Sequence, residues 1–169
     1  MIAAPTKYPG LYPDAVWHPL IGHSASGSFS DRNTIVLHIT EGPSAASAIA
    51  TFEQSTTPHR VSAHFVIDRD GTVYQLLDLN YTAWHASQVN AHSIGIEHAA
   101  IAGKLMATEA QYAASAKLVN WLAHRMYILL DRAHVRDHFE ASPIDGHILC
   151  SKGALDPDRV VELAQALDA

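Results

Sequence analysis

The sequence predicts a single α/β domain, a central mixed β-sheet flanked by helices, and three observations carry that prediction. Short β-branched runs alternate with segments of helical period, the pattern of a sheet covered by helices. The turn Asp68-Arg-Asp-Gly71 joins two of those runs as an antiparallel hairpin, so the sheet is not purely parallel. The chain has 169 residues, 48% of them hydrophobic, which is enough for one sizeable core.

Residues 1–32 lack a periodic pattern, because Pro5, Pro9, Pro13 and Pro19 interrupt it. They read as an extended arm packed on a domain that runs from 33 to 169. The arm carries Trp17, His18 and His23, read as surface residues. Thr34 to Ile39 is a β-branched strand closed by Gly42-Pro43. Ser44 then caps a helix from Ala45 to Gln54, and a polar loop runs from Ser55 to His59.

Arg60 to Ile67 and Thr72 to Leu77 are the two hairpin strands, and Ser93 to Ala99 is a further strand. On that strand Ile94 and Ile96 share one face while Gly95 and Glu97 share the other. A long helix starts at the capping-box pair Thr108 and Gln111. Its core stripe is Ser115, Leu118, Val119, Leu122 and Met126. A strand through Ala133 to His138 and a long loop lead to a last helix, Pro157 to Leu167, capped by Asp156.

Composition excludes several classes of function. A net charge of -6, with no lysine or arginine stripe, argues against nucleic acid as a partner. No apolar run is long enough to insert in a membrane. The first residues lack the basic start and apolar run of a signal peptide, which predicts synthesis in the cytoplasm without one. The lone Cys150 rules out an intrachain disulfide. Histidine is the outlier at 12 residues, pointing to metal or acid–base chemistry.

Three features call for a joint explanation: His38 inside an apolar strand, Glu97 in the otherwise apolar Ile94-Gly-Ile-Glu97, and the histidine-rich segment from His134 to Cys150. A catalytic zinc site takes three ligands from His, Cys or carboxylate and leaves a fourth position open, with a nearby carboxylate to move protons. Those residue types are all present, though widely separated, and no local HExxH motif occurs.

At this point the chain resembles the zinc-dependent N-acetylmuramoyl-L-alanine amidases, the family shared by small phage lysozyme-type amidases and peptidoglycan recognition proteins. The matching pieces are Ile35-Val-Leu-His-Ile-Thr-Glu-Gly42, Val61-Ser-Ala-His-Phe-Val-Ile67 with Asp70-Gly71, Ala83-Trp-His-Ala86, His92-Ser-Ile-Gly-Ile-Glu-His98 and the C-terminal histidine segment. They occur in the family's order over roughly residues 33–160.

The resemblance implies a peptidoglycan recognition protein-like fold, one Zn2+, and hydrolysis of the amide between N-acetylmuramic acid and L-alanine. His38 matches the first zinc ligand and Glu97 the general base. Trp84 and His85 match groove residues near substrate. His64, in Ser-Ala-His, joins them as a candidate contact, although its place in a strand also suits a structural role.

Two frames remain for the other ligands. In one, His138 and Cys150 complete the set; in the other, His147 and Asp156 do. The first is preferred because His138 ends a predicted strand while His147 lies in a loop with Gly146. Ser151 stands where the family usually has Pro, and Ile148 where many members carry a carbonyl-polarising Lys or His. That role therefore passes to His147 or Lys152.

A lytic role, as endolysin or antibacterial effector acting on the cell wall after release, is the reading adopted. A holin or immunity protein would then be a partner, and peptidoglycan or a muropeptide the substrate. The alternatives are a non-catalytic peptidoglycan-binding module and a cytoplasmic muropeptide-recycling amidase.

Overall fold

A computed structural model describes residues 10–58 and 60–169 of the chain. The first nine residues of the arm, with Pro5 and Pro9, and His59 of the polar loop lie outside the described residues. The strands are β1 (Val16–Trp17), β2 (Ala25–Ser26), β3 (Thr34–Ile39), β4 (Phe65–Ile67), β5 (Val73–Gln75), β6 (Tyr81–Thr82), β7 (Ser93–His98) and β8 (Val135–Asp137). The helices are α1 (Ala45–Gln54), α2 (Glu109–Met126), α3 (His138–Ala141) and α4 (Pro157–Gln165), with short 3-10 turns between them.

Six strands form one mixed sheet in the order β1-β5-β4-β7-β3-β8, and β2 pairs with β6 in a separate ribbon. Strands β4, β7, β3 and β8 are parallel neighbours, and β5 returns antiparallel to β4 through the hairpin turn. Gly71 holds φ +89 in that turn, and a Cβ there would also meet the Ala110 carbonyl oxygen at 2.9 Å.

Connection direction decides which face each helix covers. The chain leaves β3 through α1 towards β4, and leaves β7 through α2 towards β8, on the opposite side. Right-handed crossovers running in opposite directions put their helices on opposite faces. Accordingly Ile35, Leu37, Phe65, Ile67, Ile94 and Ile96 pack with Leu118, Val119, Leu122, Val160 and Val161. Val66, Ala63 and Leu76 pack instead with Ala45, Ala48, Ile49 and Phe52 of α1.

Caps tie the helices to the sheet. Ser44 caps α1 and Thr108 caps α2, each in a closed capping box. Gln111 is fully buried, and its amide donates to the Ile67 and Ala99 carbonyls, each at 3.1 Å, at the ends of β4 and β7. The first turn of α2 is thus bonded to the sheet edge that carries the site.

Several elements differ from the sequence expectations, among them the strand expected over 72–77, which is regular only over Val73–Gln75. The arm is not wholly irregular, since β1 adds to the sheet beside β5 and Tyr12 enters the core. The strand expected over 60–67 is regular only from Phe65, because Ser62 N–H turns to the Trp84 carbonyl at 3.0 Å. The strand expected through His138 stops at Asp137, which caps α3 by accepting from Glu140 N–H. The last helix ends as α-helix at Gln165 and closes in a 3-10 turn. Among the described residues, no helix is long and apolar enough to cross a membrane.

Candidate active site

The site lies at the carboxyl ends of the parallel strands, the usual place for ligands in open α/β sheets. His38 on β3 and Glu97 on β7 are register partners, so both project from the face that α1 covers only in part. Cβ alternation had already placed Glu97 opposite Ile94 and Ile96. β8 then delivers His138, the first residue of α3, and the loop after α3 returns Cys150. The donor atoms of His38, His138 and Cys150 all lie within 4.8 Å of one another.

Each donor has a fixed setting. Cys150 Sγ lies 3.6 Å from His38 Nδ1 and accepts from the Ile39 N–H at 3.4 Å. His38 Nε2 is 2.9 Å from His85 Nδ1, and His85 Nε2 is 3.1 Å from Ser93 Oγ. His138 Nε2 donates to Asp145 Oδ2 at 2.9 Å, while Ser87 Oγ donates to Asp145 Oδ1 at 2.6 Å. Asp145 fixes the His138 tautomer and leaves Nδ1 as its free nitrogen.

Burial sets the charges. It holds His38 neutral well below the usual histidine range, helped by the neighbouring His85 and His138. Burial also lowers His138, against the opposing pull of Asp145. Although burial works the other way, hydrogen bonds from Ser87 and His138 keep Asp145 ionised below its ordinary value. The Glu97 carboxyl is pushed up to about 8 by burial, and its Oε2 has no hydrogen-bond partner. Burial, then Glu97, pushes the Cys150 thiol up.

This donor set fits zinc. Two neutral imidazoles, each with one nitrogen bonded elsewhere, and a thiol form a three-ligand group with an open side. A divalent metal held here would favour the thiolate and carboxylate forms that burial disfavours. An open cleft of about 330 Å³ leads away from Glu97 past Ile39, Thr40, Ser47, Thr51 and Phe52.

The remaining expected site residues divide. His147 is exposed and stacks on His138, ring centroids 4.6 Å apart and planes 14° from parallel. Lys152 is engaged otherwise, because its ammonium lies 3.2 Å from Asp137 and 3.1 Å from Glu140. Asp156 caps α4, its Oδ1 accepting from the N–H groups of Asp158 and Arg159. Trp84 is half-buried and backbone-bonded to Ser62.

His64 does not face the cleft. It is fully buried, accepts at Nδ1 from the Gly95 N–H at 3.1 Å, and has Nε2 3.0 Å from the Tyr81 carbonyl. Both nitrogens are therefore in use within the scaffold, the structural role that its sequence position also suited. Sequence reasoning missed Asp145, Ser87 and Ser93. In the sequence, Asp145-Gly146 looks like turn chemistry, and nothing local marks a carboxylate that orients a histidine.

The family profile described as N-acetylmuramoyl-L-alanine amidase, Amidase_2, matches residues 28–159. The chain belongs to this family. N-acetylmuramoyl-L-alanine amidase A of Achromobacter lyticus is 34% identical to this Amidase_2 chain over 116 residues. That match covers 66% of this chain, which spans 63% of the relative's length. Among solved structures, a selenomethionine derivative of AmpD superposes with a TM-score of 0.69 at 25% identity, covering 92% of this chain and 97% of that one. The amidase LysC from Clostridium intestinale URNW superposes with a TM-score of 0.68 at 22% identity, covering 94% and 99% respectively.

Proposed function

We propose that this Amidase_2 domain is a zinc-dependent N-acetylmuramoyl-L-alanine amidase that cleaves peptidoglycan between the lactyl group of N-acetylmuramic acid and L-alanine. The observation that carries the reading is the His38–His138–Cys150 group, within 4.8 Å and beside the unpaired Glu97 Oε2. A non-catalytic binder has no use for a complete three-donor group next to a carboxylate poised to exchange a proton.

In this reading His38, His138 and Cys150 would hold one zinc ion, whose chemistry when bound would be to acidify water to a pKa of ~7 and to act as a Lewis acid towards a carbonyl. Glu97 Oε2 takes the proton from the attacking water and returns it to the leaving amine nitrogen. An elevated carboxyl pKa suits both transfers, because the group must gain and lose a proton near neutral pH. In the same reading His147, stacked on His138 at the exposed rim, hydrogen-bonds the developing oxyanion. The stem peptide lies along the cleft beside α1.

Zinc titration of four variants tests the ligand frame. His138→Ala and Cys150→Ala should each lose stoichiometric metal, whereas His147→Ala and Asp156→Ala should keep it. Metal retained in the first pair and lost in the second would sink the assignment.

The lytic role is tested by comparing substrates. Release of peptide from intact sacculi at a rate similar to that from soluble anhydro-muropeptides supports lysis. Activity confined to the soluble fragments supports recycling.

A further inference from the structure

We propose that His85 is a positioning residue that fixes His38 as its Nε2–H tautomer, so that the Nδ1 lone pair points at Cys150 and the candidate metal position. The resemblance placed His85 in the substrate groove. In the structure its two ring nitrogens meet His38 and Ser93.

The polarity of the chain of hydrogen bonds follows from its far end. Ser93 is fully buried, and its Oγ lies 2.8 Å from the Val89 carbonyl oxygen. A carbonyl only accepts, so the one hydroxyl hydrogen of Ser93 goes to Val89. Ser93 Oγ must then accept from His85 Nε2–H at 3.1 Å. With its hydrogen on Nε2, neutral His85 has a lone pair on Nδ1, which accepts from His38 Nε2–H at 2.9 Å. His38 is left with a free lone pair on Nδ1, the nitrogen 3.6 Å from Cys150 Sγ.

The main chain makes room for this relay. A Cβ on Gly95 would come within 2.6 Å of His85 Cγ, so the imidazole lies against the sheet only because residue 95 has no side chain. The backbone around His85 is pinned as well, since Asn90 Oδ1 accepts from the His85 N–H at 3.0 Å and from the Ala86 N–H at 2.7 Å. Glycine in the middle of β7 and asparagine after His85 thus serve one purpose, seating a ring that can only accept from His38.

The inference that this relay governs metal affinity rests on the zinc reading above; the tautomer itself does not. The test uses the full chain with 15N-labelled histidine. Two-bond 1H–15N spectra of the metal-free protein should show His38 protonated at Nε2. In His85→Ala the His38 signals should move to a mixture of tautomers, and zinc affinity, read by competition with a chromogenic chelator, should fall about 10–100-fold.

His85→Asn, whose Oδ1 restores an acceptor, should recover much of both readouts. Gly95→Ala should reproduce the loss by displacing the ring with its chemistry unchanged. A His38 protonated at Nδ1 in the unaltered chain overturns the proposal. So does an Nε2–H tautomer and zinc affinity unaltered in folded His85→Ala and Gly95→Ala alike. If the unaltered chain binds no zinc but His38 follows this tautomer pattern, the zinc reading fails and the relay stands.

Discussion

Glu97 and His38 are register partners on neighbouring strands, yet their side chains meet opposite demands. His38 has neighbours at both ring nitrogens, His85 at Nε2 and Cys150 at Nδ1, whereas Glu97 keeps a buried oxygen without a partner. A buried unpaired carboxyl costs stability, and such a cost persists at a site where the group exchanges protons. Glu97→Gln keeps the shape and removes the base. It should bind zinc with unchanged stoichiometry and release peptide from peptidoglycan at least ~100-fold more slowly, the range typical of a lost general base. Near-normal turnover in that variant would mean that another group moves the proton.

At the scale of elements, the loop from α3 to α4 carries Cys150 and is held at both ends. Asp137 and Glu140 bind Lys152 on one side, and Asp156 caps α4 on the other. Asp156→Ala leaves the helix amides of Asp158 and Arg159 without their acceptor. Loss of one such cap should lower the Tm by about 2–4 °C in a chain of this size while zinc binding is unchanged. Calorimetry with a metal assay reads both, and a variant that lost metal with no change in Tm would restore Asp156 as a ligand.

Across the whole molecule, histidines buried behind the site make the fold acid-sensitive. Burial lowers His64 from an ordinary 6.5 to about 3, and lowers His98 to about 4. His64 resists protonation because Nδ1 already accepts from the Gly95 N–H. As pH falls the unfolded chain takes up these protons first, so stability is complete above 6.5 and lost progressively towards pH 3. At ~1.4 kcal/mol per pH unit below 6.5, His64 alone should cost about 2.5 kcal/mol between pH 7 and 4.5. Urea unfolding of the metal-free protein at those two pH values measures it, and His64→Gln should flatten the dependence. A pH-independent stability would contradict the burial of these rings.

Local rules were enough to read the elements from the sequence. Ser44 and Thr108 as caps, the stripe from Ser115 to Met126, and the alternation that separates Glu97 from Ile94 and Ile96 depend on residues within a turn or two of one another. The elements of the arm and of His138 were harder, because β1 forms only against β5 and the end of β8 is decided by the Asp137 cap. Residue chemistry raised the possibility of a metal site, and the resemblance to the amidase family, piece by piece along the chain, pointed to His38, Glu97, His138 and Cys150. What only the tertiary structure decided is who stands behind them. His85 lies against Gly95 and meets His38, His64 turns into the scaffold, Lys152 joins two carboxylates, and Asp145 reaches His138 from a turn. Those assignments depend on which nitrogen of a ring meets which neighbour across the sheet, and hydrogen-bond direction between distant segments leaves no periodic or compositional trace in a sequence.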